Sequence, residues 1–204
     1  MKQVDKMSKQ EQEKLLNQIM QDLKENLSEK RYLHSVSTMK KAKELANQYN
    51  QDELIVMLTA LAHDNAKEMT DEGYFEYAKQ NNIELNEIDK IETVGLHGKI
   101  GADIAGKKYG FTKEMQDAIY YHTTGRANMT LLDKLVFLAD KTEDTRQEED
   151  AKKLRTIMNE EGLDRAILWD IDFVSIPKFI KNQRIIHPES IYARNDIIAK
   201  LKKM

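Results

Sequence analysis

Residues 54–62, LIVMLTALA, leave a helix almost no polar face, so the chain that carries them has to enclose them. The Ala and Leu content and the length of the segment predict a helix here rather than a strand, despite its β-branched residues. A helix that is apolar nearly all round is buried on most faces, which places it at the centre of the molecule. Directly after it come His63, Asp64 and Lys67. Taking such groups out of water without a partner costs several kcal/mol, so something in the fold has to compensate them. The candidates are a hydrogen-bond network, emergence of the helix into solvent, or a metal ion.

What encloses this segment is itself helical. Two Pro and eight Gly in 204 residues, with Glu, Lys and Arg supplying most of the charge, predict an all-α chain. With 40% hydrophobic residues and no Gly/Ser linker, a single domain over 1–204 is expected, 1–27 forming an accessory N-terminal helix. Ser8 followed by Glu11 has the capping-box pattern, and Leu15, Leu16, Ile19, Met20, Leu23 and Leu27 then recur at helical spacing. This helix caps the bundle or pairs two copies as a homodimer. Further helices are expected at 29–49, 52–68, 86–95, 112–122, 130–140, 147–160, 163–182 and 189–203, with another ending near Gly110. The segment DEGYFEYAKQNN reads as a polar stretch between helices. Pro188 suits the first turn of the last helix, which has no use for its missing N–H.

Charge and Cys usage exclude several classes. Lys+Arg 32 against Asp+Glu 35 is too balanced for a protein that coats nucleic acid. The polar N-terminus has no leader pattern, and no stretch approaches the roughly 20 apolar residues of a membrane span, so a cytoplasmic location is expected. Zero Cys removes disulfides, thiolate metal sites and Cys nucleophiles together. Any metal has to be held by His and carboxylates.

Four of the five histidines, His34, His63, His97 and His122, fall at helix ends or early turns, and Asp64 and Asp140 share that placement. Side chains near helix ends converge on one cleft when the helices pack as a bundle, and a mixed His/carboxylate set suits iron, manganese, cobalt, nickel or zinc. Coordination then compensates His63 and Asp64, and a metal is the preferred answer to their burial. Lys67 stands three residues from Asp64, on the same helix face. His187, ahead of Pro188, reads as structural.

The order H…HD…H…H…D resembles the HD-domain superfamily of metal-dependent phosphohydrolases. RYLHSV around His34, HDNAKE at 63–68, LHGKIGA at 96–102, YHTTGR at 121–126, FLADKTEDTR at 137–146 and IHPESIYARN at 186–195 resemble the YqeK family of symmetrical bis(5′-nucleosyl)-tetraphosphatases. The resemblance covers roughly residues 28–200. It implies an HD-domain helical bundle that hydrolyses diadenosine tetraphosphate and related dinucleoside polyphosphates into two nucleoside diphosphates. It also implies an iron or similar metal on His34, His63, Asp64 and Asp140, with Asp64 and Lys67 in catalytic roles. Lys67, His97, His122, Thr123, Arg126 and Arg146 would then lie along the phosphate and nucleoside site. Asn65, Lys141 and Asp144 depart from the family pattern, which carries an aromatic, Tyr and Pro there. Two other readings share the ligand set: an HD phosphohydrolase acting on a mononucleotide, guanosine tetraphosphate or a cyclic dinucleotide, and a non-catalytic nucleotide-binding module.

Overall fold

In a computed structural model, which describes residues 2–203, every regular element of the described residues is helical. Met1 and Met204, the two ends of the expected 1–204 domain, lie outside the described residues. The first long helix, α1 (Lys9–Asn26), begins with the capping box closed in both directions between Ser8 and Glu11. Its Leu15, Ile19 and Leu23 are buried, and Leu16 and Met20 pack against the same core, so its apolar stripe is spent on the bundle.

The centre is built from α2 (Glu29–Gln48), α3 (Glu53–Leu61) and α8 (Leu131–Thr142), which pack on one another. Val56, Leu58, Ala60 and Leu61 are all buried, as the apolar run requires. Ala42 and Ala46 on α2 keep the neighbouring backbones close, and Asp52 caps α3 by accepting from the Leu54 and Ile55 amides.

The third helix ends at Leu61, seven residues earlier than expected. From there the backbone tightens into turns that reach back three residues, with Asn65 N–H on Ala62 O, Lys67 N–H on Asp64 O and Met69 N–H on Ala66 O. The turns are anchored at their far end by the Glu68 carboxylate, which accepts from both the amide and the hydroxyl of Ser28 at the start of α2. With the His63 ring also bonded back to Ala60 O, side-chain contacts of His63 and Glu68 override what continued periodicity would give.

The polar stretch is also a helix, α4 (Asp71–Gln80), capped by Thr70 on Gly73 N. Tyr74 and Ala78, one turn apart, bury against Leu96 and Ile100, and the Tyr74 hydroxyl donates to Ala66 O. Two apolar contacts at the right spacing suffice, although eight of its ten residues are not buried. After it come α5 (Glu87–Ile91), one 3₁₀ turn at Thr93–Gly95, α6 (Leu96–Tyr109) and α7 (Lys113–Tyr120). α6 stops at Gly110, whose φ of 71° is the left-handed helix cap that glycine adopts without strain.

The last third holds α9 (Glu149–Glu161), α10 (Leu163–Asp170), α11 (Ile176–Lys181) and α12 (Pro188–Leu201). The helix expected at 163–182 is continuous but widens into a π turn at Ile171–Ser175, where Ser175 Oγ donates to Asp170. His187 caps α12, its Nδ1 accepting from Glu189 N, in keeping with a structural role. No helix of the described residues is long and apolar enough to cross a membrane.

Candidate metal centre

His34 lies in the second turn of α2 and Asp140 in the last turns of α8. His63 and Asp64 sit in the tight turns after α3, His97 in the first turn of α6, and His122 just past α7. Three of the histidines are held in the same way, because each ring donates its Nδ1 proton to the carbonyl three residues back: His63 to Ala60 O at 2.7 Å, His97 to Val94 O at 2.7 Å and His122 to Ile119 O at 2.6 Å. This assignment from the hydrogen-bond network leaves every Nε2 with its lone pair aimed inward. The fourth, His34, has Glu143 Oε1 at 3.2 Å from Nδ1.

Six side chains converge. His34 Nε2 is 3.1 Å from Asp140 Oδ1, and His63 Nε2 is 3.7 Å from both Asp140 Oδ1 and Asp64 Oδ2. On the other side of the same carboxylate, Asp64 Oδ1 lies 3.3 Å from His97 Nε2 and 3.4 Å from His122 Nε2, which are 3.2 Å apart. Asp64 thus joins two half-sites. Ligand atoms of His34, His63 and Asp64, of His63, His122 and Asp140, and of Asp64, His97 and His122 each fall within 4.8 Å of one another.

Burial and charge prepare these groups to ligate. Burial pushes the His63 ring down to about 4 and drives His97 well below its ordinary range, so both are neutral donors near pH 7. Burial opposes the charge of Asp64, yet the facing His63, Lys67 and His122 hold its carboxyl well below the usual range. Asp140 is likewise held low against burial by His34, His63 and Arg146. At His34 burial is overcome by Asp140 and Glu143, which push the ring up to about 9.

His63 Nε2 and Asp64 Oδ1 are buried without a hydrogen-bond partner. Orphaned polar atoms at such depth cost several kcal/mol each unless a cation meets them. The cluster therefore fits a divalent cation, and its donors are all nitrogen and oxygen.

The centre opens into a cleft of about 900 Å³. Of the residues that the resemblance sets along the substrate site, Lys67, His97, Thr123 and Arg146 line this cleft, while His122 lies behind it in the buried cluster, and Lys67 Nζ donates to His97 Nε2 at 2.8 Å. Arg146 serves the centre as well as the cleft, since it bonds the Asp140 carboxylate at 2.8 Å. Arg126 is not brought there. Its guanidinium is tied to Asp133 at 2.8 Å and Asp117 at 3.1 Å and lies over the Tyr121 ring.

Other groups were not singled out by the sequence. Lys141, Lys178 and Arg184 line the cleft, and with Lys67 and Arg146 they make five cations against Glu148, Asp150 and Asp170. Arg31 Nη1 stands 3.6 Å from Asp64 Oδ2. Glu143, buried behind His34, follows Asp140 by three residues within FLADKTEDTR, which is the signal that marks it. Of the departures from the family pattern, Asn65 donates to Gly101 O at 3.1 Å. Lys141 lies over the Phe137 ring and 3.8 Å from Asp170, while Asp144 is exposed and 3.4 Å from Lys41.

The HD domain family matches residues 31–145, more than half of the chain. A relative from Halalkalibacterium halodurans named "Bis(5'-nucleosyl)-tetraphosphatase, symmetrical" is 32% identical over 90% of this chain and 97% of its own length. A relative of the same name from Bacillus subtilis is 29% identical over 87% and 94%. A crystal structure from Clostridium acetobutylicum, described as that of a "predicted HD superfamily hydrolase involved in NAD metabolism", superposes with a TM-score of 0.85 at 35% identity, covering 90% of this chain and 97% of the other. With the six converging side chains falling at the H…HD…H…H…D positions, the chain belongs to the HD-domain family, and within it to the family of these curated relatives.

Proposed function

We propose that the protein hydrolyses diadenosine tetraphosphate and related dinucleoside polyphosphates symmetrically into two nucleoside diphosphates, with a metal ion, iron by preference, on His34, His63, Asp64 and Asp140. The observation that carries this reading is the convergence of four inward-facing Nε2 atoms and two carboxylates at one end of a cleft lined by five cations. The names of the relatives support the same substrate class.

When bound, a divalent ion would supply Lewis acidity, lowering the pKa of water and neutralising phosphate charge. Everything else falls to side chains. Asp64, kept anionic against its burial, orients the attacking water and accepts its proton. Water oxygen bonds to one inner phosphorus while the bond from that phosphorus to the central bridging oxygen breaks, and a nucleoside diphosphate leaves. Lys67, 3.5 Å from Asp64 Oδ1 and facing the cleft, meets the charge on the attacked phosphate. Arg146 and the outer lysines hold the rest of the tetraphosphate as point charges or a bidentate fork. His97 stays neutral and hydrogen-bonded to Lys67, which keeps that ammonium aimed at the substrate.

Chromatography of the products formed from diadenosine tetraphosphate by the metal-supplemented protein tests the reading. ADP alone is expected, abolished by a chelator. ATP with AMP would replace it with asymmetrical cleavage, and turnover restricted to mononucleotides or NAD would assign a different HD hydrolase.

A further inference from the structure

The side chains that hold His34 and Asp140 sit on one short turn. Glu143 faces His34 Nδ1 at 3.2 Å, and Arg146 donates to both the carboxylate and the carbonyl of Asp140. That turn, residues 142–146, leaves the end of α8, where the last carbonyls of a helix have no intrahelical donor. Arg146 takes Asp140 O, and one further side chain takes Thr142 O together with two carbonyls of the turn itself. Arg155 Nε donates to Thr142 O at 2.8 Å, and Nη2 donates to Glu143 O at 2.7 Å and Arg146 O at 2.6 Å. Its carrier, α9, lies beyond the stretch matched to the HD family, and the same helix lines the cleft with Ala151 and Leu154.

We propose that Arg155 is a positioning residue for the metal centre: by fixing the 142–146 turn it places Glu143 behind His34 and Arg146 against Asp140, and so sets half of the ligand set from outside it. The inference rests on the metal-binding reading above. A planar guanidinium suits the task because its N–H groups diverge at fixed angles onto three carbonyls, whereas a lysine ammonium offers one point of donation on a flexible stem. Arg155 touches neither the ligands nor the cleft in its own right. Its effect passes through Glu143 and Arg146.

The experiment measures metal affinity, with Fe²⁺ or Mn²⁺ and a competing chromophoric chelator, for the wild type, Arg155→Gln, Arg155→Lys, Glu143→Gln and the Glu143→Gln/Arg155→Gln double variant, beside the thermal midpoint of each metal-free protein. Loss of a partner that orients a ligand typically weakens a metal about 10–100-fold. Arg155→Gln is expected in that range, Arg155→Lys to recover only part of it, and the double variant to bind about as weakly as Arg155→Gln alone, since the part of its effect that reaches His34 runs through Glu143. Wild-type metal affinity in Arg155→Gln with a lowered thermal midpoint would overturn the proposal and leave Arg155 as a staple between helices. Fully additive losses in the double variant would also overturn it. Should Arg155→Gln fail to fold, Arg155→Lys decides: reduced affinity supports the proposal, and unchanged affinity refutes it. A wild type that binds no divalent metal removes the metal-binding reading itself, and this inference with it, whereas a tight-binding wild type with indifferent variants removes the inference alone.

Discussion

Gly98→Ala should separate the packing account from simple helix propensity, because the two predict opposite signs. Gly98 is buried on α6 where that helix crosses the end of α7, and a methyl group added there would lie 2.8 Å from Tyr120 O and 3.2 Å from Ile119 O. Both neighbours are backbone, so neither can swing aside. Inserting a methyl into such a contact costs about 1–3 kcal/mol, near the upper end here, while replacing Gly by Ala inside a helix returns about 1 kcal/mol. The net is a loss of about 1–2 kcal/mol, or about 2–8 °C in thermal midpoint for a chain of this size. The damage has a chemical address. Ile119 O is the carbonyl that receives the His122 Nδ1 proton, and His97 precedes Gly98, so pushing α6 from α7 widens the 3.2 Å gap between the two Nε2 atoms. Calorimetry with a parallel assay of tetraphosphate hydrolysis measures both consequences. A variant more stable than wild type by about the propensity gain, with undiminished hydrolysis, would refute the reasoning.

The raised His34 pKa makes the metal-free protein pH-sensitive in a defined direction: the group's contribution to stability is complete below its ordinary 6.5 and is lost as pH rises through about 9. Denaturant midpoints in chelator should therefore fall across that interval, and Glu143→Gln should flatten the fall. Metal binding runs the other way, since the cation competes with the His34 proton, and affinity should rise over the same window. Arg126→Ala should lower the thermal midpoint through a loss of about 1–3 kcal/mol while leaving KM unchanged, because its partners Asp117 and Asp133 lie outside the cleft. Lys178→Ala, at an exposed position on the cleft wall, should leave the midpoint unchanged and raise KM for the tetraphosphate about fivefold, which corresponds to about 1 kcal/mol for one solvated charge contact.

Much of the bundle was legible because it rests on local rules. The Ser8–Glu11 box, the apolar run of α3 and the glycine that stops α6 are each decided by neighbours within a turn or two. The misses share a different cause. DEGYFEYAKQNN looks like a loop by composition, and only the pocket offered by Leu96 and Ile100 makes Tyr74 and Ala78 worth burying. Periodicity carries α3 past Leu61, but the Nδ1 bond of His63 and the reach of Glu68 to Ser28 end it there. At the centre, His34, His63, Asp64, His97, His122 and Asp140 could be singled out because their residue types announce metal chemistry. Arg126 could not be told from a phosphate ligand, since its guanidinium is read only through Asp117 and Asp133. Glu143 was marked only by its place three residues after Asp140, since the histidine it answers is 109 positions away, and Arg155 stayed hidden because it supports backbone carbonyls that a sequence does not display.

Anomalous scattering from a crystal of the metal-loaded protein addresses the central claim most directly. An ion is expected at ordinary bonding distance from Nε2 of His34 and His63 and from the carboxylates of Asp64 and Asp140, with Lys67 between it and the open cleft. An ion bound elsewhere, or none at this cluster at saturating metal, would contradict the claim.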